Sequence, residues 1–281
     1  QENTKLFFIE SMGNPKLDVL DIEKISDESK KNHVPLMVDN TVATPALLNP
    51  IKYGANIVIY SLTKYINGNG TALGGAIVDA GNFDWSSGKF PEFTTPSAGY
   101  HGLIYHDALG PAAFIAKVRV EGLRDIGAAI SPFNSFQIIQ GLETLEVRMK
   151  KHSENALELA TWLESREEIS WVNYPGLKSS PYNSLSKKYL PNGQSGLITF
   201  GSKGGFNSAK KIADNTTIFS LLANIGDSKS LIIHPASTTH SQLSEIEQLN
   251  TGVSQDLVRL SVGLENIEDL KQDLINAFEK I

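Results

Sequence analysis

The sequence predicts an α/β fold, with a mostly parallel sheet in its first part and an α+β unit in its second. Three observations carry that reading. Short apolar runs alternate with a helical stripe through the first third of the chain, as a parallel sheet with crossover helices requires. An aperiodic segment then separates this alternation from long helical patterns and scattered strands. A length of 281 residues is enough for a large core and suggests two units.

Leu6-Phe7-Phe8-Ile9 reads as a buried strand, and residues 18–32 place Val19, Leu20, Ile22 and Ile25 on one helical stripe. A strand at 34–38 completes a strand–helix–strand unit. Two more strands are expected at 56–60 and 74–78. Residues 81–110 are rich in Gly, Pro, Ser and aromatics, among them Phe83, Trp85, Phe90, Phe93, Tyr100 and Tyr105, without a clear period. A loop this long inside a compact domain is functional or covers something. Helices are expected at 111–126 and 134–166, the second carrying Ile138, Ile139, Leu142, Leu145 and Met149. Pro132 biases Ser131 out of helix, so the boundary falls there, giving domains of 1–133 and 134–281. Beyond it, 196–200, 231–233 and 257–261 are strand-like and 206–214 helical. Asn266 is a good N-cap for a last amphipathic helix with Ile267, Leu270, Leu274 and Phe278.

Composition narrows the function. The net charge is −6 and no block of Lys/Arg is present, which argues against nucleic acid and anionic membranes as partners. No apolar run approaches the length of a membrane span. The expected partners are small molecules and other subunits. With no cysteine, thiolate metal sites and disulfides are excluded, and any covalent catalysis must use another nucleophile. The six histidines show no metal-ligand spacing of the His-Glu-x-x-His kind, so no metal is expected. An intracellular, cytoplasmic setting fits this usage. The chain opens with Gln1 directly before a strand, which resembles an interior cut.

Lys64 ends the run Asn56-Ile-Val-Ile-Tyr-Ser-Leu-Thr-Lys64-Tyr65. In an open parallel sheet, side chains at the carboxyl ends of strands converge on the ligand crevice. A lysine there is placed to form a Schiff base with a carbonyl cofactor, and desolvation or a cationic neighbour would free its amine. Its plainer reading is a surface lysine. Ser61 and Thr63 flank it, and alternation in an extended segment would put both hydroxyls on one side, where they could donate to a phosphate. Asp39 closes the apolar run 34–38 and reads either as an Asx-turn residue or as the carboxylate that keeps a pyridine nitrogen protonated. Glu10-Ser-Met-Gly-Asn-Pro15 is a turn by composition, from which Asn14 could present its amide to a ring hydroxyl. Arg259, between Leu257 and Leu260 in a strand, needs a counter-ion if buried. That partner is an Asp or Glu of the chain, or a substrate carboxylate.

Together with Val38-Asp-Asn-Thr41, Ser61-Leu-Thr-Lys-Tyr65, His234-Pro-Ala-Ser-Thr-Thr-His240 and Arg259-Leu-Ser-Val-Gly-Leu-Glu265, that turn resembles the Cys/Met-metabolism family of pyridoxal-phosphate enzymes over essentially the whole chain. Pro96-Ser-Ala-Gly-Tyr-His-Gly-Leu103, Ser131-Pro-Phe-Asn-Ser-Phe136, Gln140-Gly-Leu-Glu-Thr144 and Ala223-Asn-Ile-Gly-Asp227 are most similar to its O-acetylhomoserine sulfhydrylase branch. The resemblance implies a type I pyridoxal-phosphate fold, with 1–133 as the remainder of the cofactor-binding large domain and 134–281 as the small domain. By motif, Lys64 is the Schiff-base lysine, Asp39 the pyridinium partner, Ser61 and Thr63 phosphate contacts and Asn14 a contact to the ring hydroxyl. Arg259 would hold the substrate α-carboxylate, with Asn224 beside it.

The implied reaction is γ-replacement: O-acetyl-L-homoserine and sulfide give L-homocysteine and acetate, a step of methionine biosynthesis. Self-association as a tetramer of dimers is implied as well. Members of the family also carry an N-terminal portion that is absent here, so the chain is expected to be part of a longer polypeptide. Two other readings stay open. One is a cystathionine γ-synthase or a γ-lyase acting on methionine or cystathionine, which share the core residues; the other is a non-catalytic fragment that associates with partner subunits.

Overall fold

The computed structural model describes residues 3–281. Two sheets form, each built from one part of the chain. The first has the order β1 (Phe7–Glu10), β2 (Leu36–Asp39), β3 (Ile57–Ser61) and β4 (Gly75–Asp79). The first three strands run parallel and β4 pairs antiparallel to β3. The expected strands are therefore present, each shifted by about a residue, and the sheet is mostly parallel. Its parallel strands end at one edge, with Glu10 opposite Asp39 in the register and Ser61 closing β3.

Alternation along these strands splits the side chains between two cores. Leu36, Val38 and Val58 pack on one face with Ile22, Met149 and Tyr65, whereas Met37, Ile57 and Ile59 lie on the other with Trp85, Phe90, Phe93 and Tyr105. The aromatic-rich segment thus covers the second face. Trp85 stacks on Phe114 with ring centroids 5.3 Å apart, and the segment forms short helices at Pro91–Thr94 and Tyr105–Leu109. The first helix is Ile22–Lys31 and does not begin at Asp18. Val19 is instead held in a bridge to Met12, and Gly13 bonds to the Asp18 carbonyl, so the residues before Ile22 serve the turn after β1.

The long helical pattern expected at 134–166 is two helices, Pro132–Glu143 and Leu145–Glu164, broken at Thr144. Ser131 caps the first, its hydroxyl accepting from the Asn134 amide at 3.1 Å. The second helix joins the two halves: Leu145 and Met149 belong to the first core, while Ala156, Leu159 and Leu163 belong to the second.

The second sheet has the order β5 (Ile169–Asn173), β6 (Leu197–Ser202), β9 (Leu257–Ser261), β8 (Leu231–Ile233) and β7 (Ser220–Leu221). Only the β7–β8 pairing is parallel. Helices Leu145–Glu164, Gly205–Asp214 and Ile267–Phe278 pack on it around Phe200, Ile232 and Leu260. Asn266 caps the last of these, accepting from the Glu268 amide at 2.9 Å. Strands β5 and β7 and the helix Asn183–Tyr189 were not expected from the sequence. The first strand is interrupted by a register shift and the second has two residues, too short to show a period.

Candidate active site

Immediately after β3 the chain enters one wide helical turn, Leu62–Ile66, closed by Asn67 N–H donating to the Leu62 carbonyl at 3.0 Å. Lys64 kinks this turn, with φ −92° and ψ −131°. The extended geometry assumed for residues 61–63 therefore stops after Ser61, the last residue of β3, and is lost from Leu62 onward. A β-strand alternation cannot place Ser61 and Thr63 on one side, because Thr63 already belongs to the turn. Its Oγ1 is engaged with Gly74, lying 3.2 Å from that amide and 3.3 Å from that carbonyl.

A loop of the second half closes over the turn. Ser228 N–H donates to the Gly68 carbonyl at 2.8 Å, and its hydroxyl donates to the same oxygen at 2.7 Å. Gly226 lies so close to Tyr65 that an added Cβ would sit 2.6 Å from the Tyr65 nitrogen. This docking brings Asn224 to the amine: Lys64 Nζ donates to Asn224 Oδ1 at 2.5 Å. Arg259, projecting from β9, donates through Nη2 to the Asn224 carbonyl and through Nη1 to Asn14 Oδ1, both at 3.2 Å. Lys64, Asn224, Arg259 and Asn14 thus form one chain of contacts.

No carboxylate among the described residues forms an ion pair with Arg259 or Lys64. The salt bridge that would have made Arg259 a purely structural residue is thus missing from the described residues. Burial pushes the Arg259 guanidinium down to about 10, with Tyr65 opposing that shift. Burial also lowers the Lys64 ammonium from its ordinary value, and the Arg259 charge adds to the effect. The result favours a free amine beside an unneutralised cation.

Asp39 lies at the carboxyl edge of the first sheet, where its Oδ1 accepts from the Thr41 amide at 2.9 Å, an Asx turn. Thr41 in turn accepts from the Ser61 amide through Oγ1 at 2.8 Å, tying the ends of β2 and β3 together. Sequence reasoning assigned no role to Glu10, Thr41 or Arg148. Glu10 sits opposite Asp39, and its carboxyl is raised by burial and then by the Asp39 charge. A signal for it existed, since Glu10 ends β1 as Asp39 ends β2. The place of Arg148, whose guanidinium reaches the carbonyls of Tyr65 and Ile66, carries no local signature.

A family model described as Cys/Met metabolism PLP-dependent enzyme matches residues 1–279. The chain is 52% identical to the O-acetyl-L-homoserine sulfhydrylase of Leptospira meyeri over 289 residues, covering all of this chain and 65% of that protein. It is 47% identical to the homocysteine/cysteine synthase of Saccharomyces cerevisiae, again over its full length and 66% of the relative. This chain therefore spans about two thirds of the length of the curated relatives it matches. A crystal structure from Campylobacter jejuni, assigned as an O-acetylhomoserine (thiol)-lyase and carrying a pyridoxyl-lysine phosphate residue, superposes with a TM-score of 0.95 at 47% identity. It covers 99% of this chain and 67% of that one. On the extent of the family match and the identity to these relatives, the chain belongs to the Cys/Met metabolism PLP-dependent enzymes.

Proposed function

We propose that the polypeptide catalyses γ-replacement, converting O-acetyl-L-homoserine and sulfide into L-homocysteine and acetate, with Lys64 as the reacting amine. One observation carries the reading: the Lys64 amine, lowered by burial, shares Asn224 with a guanidinium that has no carboxylate partner among the described residues. An amino-acid carboxylate is the chemical complement of that guanidinium.

The donor set fits pyridoxal 5'-phosphate. A desolvated amine matches an aldehyde, Asp39 a ring nitrogen and the Ser61 hydroxyl a phosphate; buried Ser11 Oγ, at the end of β1, has no partner. Lys64, Asp39, Ser61, Thr63 and Asn14 would hold the cofactor, and Arg259 and Asn224 the substrate. When bound, the cofactor ring takes up the electron pair released at the substrate α-carbon. Lys64 Nζ removes the α-proton and delivers protons to the carbon skeleton, a role open only to its neutral form. Arg259 fixes the carboxylate, which orients the α-carbon toward that amine. Asn224 couples the two through one residue, its side-chain Oδ1 accepting from Lys64 and its backbone carbonyl from Arg259.

The named relatives quoted above favour sulfide as nucleophile over the synthase and lyase alternatives. We assign residues 1–133 to the cofactor-binding large domain and 134–281 to the small domain, and place the enzyme in the cytoplasm. No helix among the described residues is long and apolar enough to cross a membrane. Helix Pro132–Glu143 exposes Phe133, Phe136 and Ile139, which supports self-association, with a tetramer of dimers as the expected particle.

The test is borohydride reduction of the full polypeptide followed by peptide mass spectrometry, alongside an assay of homocysteine from O-acetylhomoserine and sulfide. A pyridoxyl adduct on the Lys64 peptide with homocysteine formed is the expected result. Release of 2-oxobutyrate from methionine without homocysteine synthesis would transfer the reading to a γ-lyase.

A further inference from the structure

Arg148 is a buried cation that binds only neutral oxygens. It stands in the first turn of helix Leu145–Glu164, is 7% exposed, and forms no ion pair among the described residues. Nη1 donates to the Tyr65 carbonyl at 2.7 Å and Nη2 to those of Ile66 at 3.2 Å and Gly141 at 2.6 Å. Nε donates to Thr144 Oγ1 at 3.0 Å. Three backbone carbonyls and a hydroxyl therefore converge on one planar fork.

The Lys64 turn explains why they do. Its carbonyls would be satisfied by amides further along if the helix continued, but the chain turns away at Gly68, where φ is +71°. The guanidinium occupies the space this opens. A Cβ on Gly68 would lie 2.3 Å from Arg148 Nη1, and a Cβ on Gly141 would lie 2.2 Å from the Asn67 carbonyl oxygen. On its other side the turn is already fixed, by Leu62 N–H to the Gly74 carbonyl at 2.9 Å. Lys64 lies between the two anchors.

We infer that Arg148 is a positioning residue for Lys64: it clamps the backbone of residues 65 and 66 to helix Pro132–Glu143 and so sets where the Lys64 amine reaches. This rests on Lys64 being the reacting amine. Arg148 touches neither that amine nor any residue assigned to substrate, so its action runs through the backbone alone. A lysine in its place could satisfy one or two of the four acceptors, and a methionine none.

The test uses the full polypeptide unaltered and as R148M and R148K, with two readouts beside turnover. The first is the pH dependence of pyridoxal-phosphate trapping on the Lys64 peptide after borohydride reduction. The second is hydrogen exchange at the amides of residues 64–68. In R148M the amine is expected to move toward water and away from Arg259, the charged group that faces it. The trapping midpoint then rises by about one pH unit. Exchange at 64–68 rises with it, and kcat falls roughly tenfold to a hundredfold with KM within about twofold. R148K is expected between the two. An unchanged midpoint and unchanged exchange in R148M would overturn the inference, whatever the loss of melting temperature. If R148M does not fold, R148K decides: a raised midpoint supports the clamp and an unmoved one refutes it. Absence of any Lys64 adduct in the unaltered protein would instead overturn the reading of Lys64, and this inference with it.

Discussion

The core of the second sheet and the crevice around Lys64 treat charge in opposite ways. In the former, the Asp273 carboxylate is 2% exposed and accepts from the amides of Thr217, Ile218 and Phe219 at 2.8, 2.9 and 3.0 Å, and from the Thr217 hydroxyl at 2.7 Å. Its charge is matched by oriented donors of the chain itself. In the crevice, Arg259 leaves the same sheet yet donates only to two neutral oxygens, and Lys64 only to an amide oxygen. A buried charge that is fully hydrogen-bonded holds a fold together, whereas a partly buried cation left without an anion marks where one is to be received.

The sharpest way to break this contrast is Lys64→Ala. Turnover of O-acetylhomoserine and sulfide to homocysteine should fall by at least roughly ten-thousandfold, with the unfolding midpoint little changed. Full retained activity would remove Lys64 from the chemistry. Asp273→Ala should do the reverse, leaving three amides without an acceptor and costing about 3 kcal/mol of stability in urea unfolding, with KM unchanged. A matching rise in KM would mean that the two regions are not separable.

Arg259→Leu comes next. Loss of the planar fork should raise KM for the amino-acid ester about 100-fold, close to 3 kcal/mol of binding, while cofactor trapping at Lys64 persists. Removing that charge should also move the Lys64 trapping midpoint upward, because a cationic neighbour depresses an ammonium. A midpoint that stays in place would show that burial alone tunes the amine.

The smallest effect concerns the seam between the regions. His152 is buried, its Nδ1 bonds the Val262 carbonyl at 2.7 Å, and its ring meets Tyr65 edge-on at 5.2 Å. Burial pushes it from 6.5 down to about 4. The folded state therefore resists protonation that the unfolded chain accepts. Its contribution to stability is complete above 6.5 and is lost as pH falls toward 4. Between pH 7 and pH 5 the loss should be about 2 kcal/mol, read from urea midpoints, and His152→Gln should flatten that slope. An equal slope in the variant would place the acid sensitivity elsewhere.

Much of this was legible in the chain. The apolar runs located β1 to β4: β2 and β3 are apolar because they feed a core on each face, whereas the edge strands β1 and β4 keep apolar residues that stay partly exposed, Phe8 and Ile77 among them. Asn266 marked the last helix through its side-chain oxygen, and Lys64 and Asp39 stood out because each terminates such a run. Arg259 was visible as a charge inside an apolar strand, but its lack of a carboxylate was not, since partners at other strands are set by packing. The shared side expected of Ser61 and Thr63 was wrong because the turn type after β3 cannot be read from alternation. Thr144 was invisible as a helix break for a similar reason: the pattern 134–166 keeps its apolar period across it.

What the sequence by itself determined is therefore the order of elements, the class of the fold and the residue types available for chemistry, all of which follow from local periodicity and side-chain identity. Only the tertiary structure decided which of those residues meet. Lys64 reaches Asn224 across 160 positions, and Arg259 reaches Asn14 across 245. Docking of the Asn224 loop on the Lys64 turn, with Arg148 beneath it, is what joins them. Contacts over such separations depend on the register of two sheets and the close approach of Gly226 and Gly141, and no short stretch of sequence encodes either.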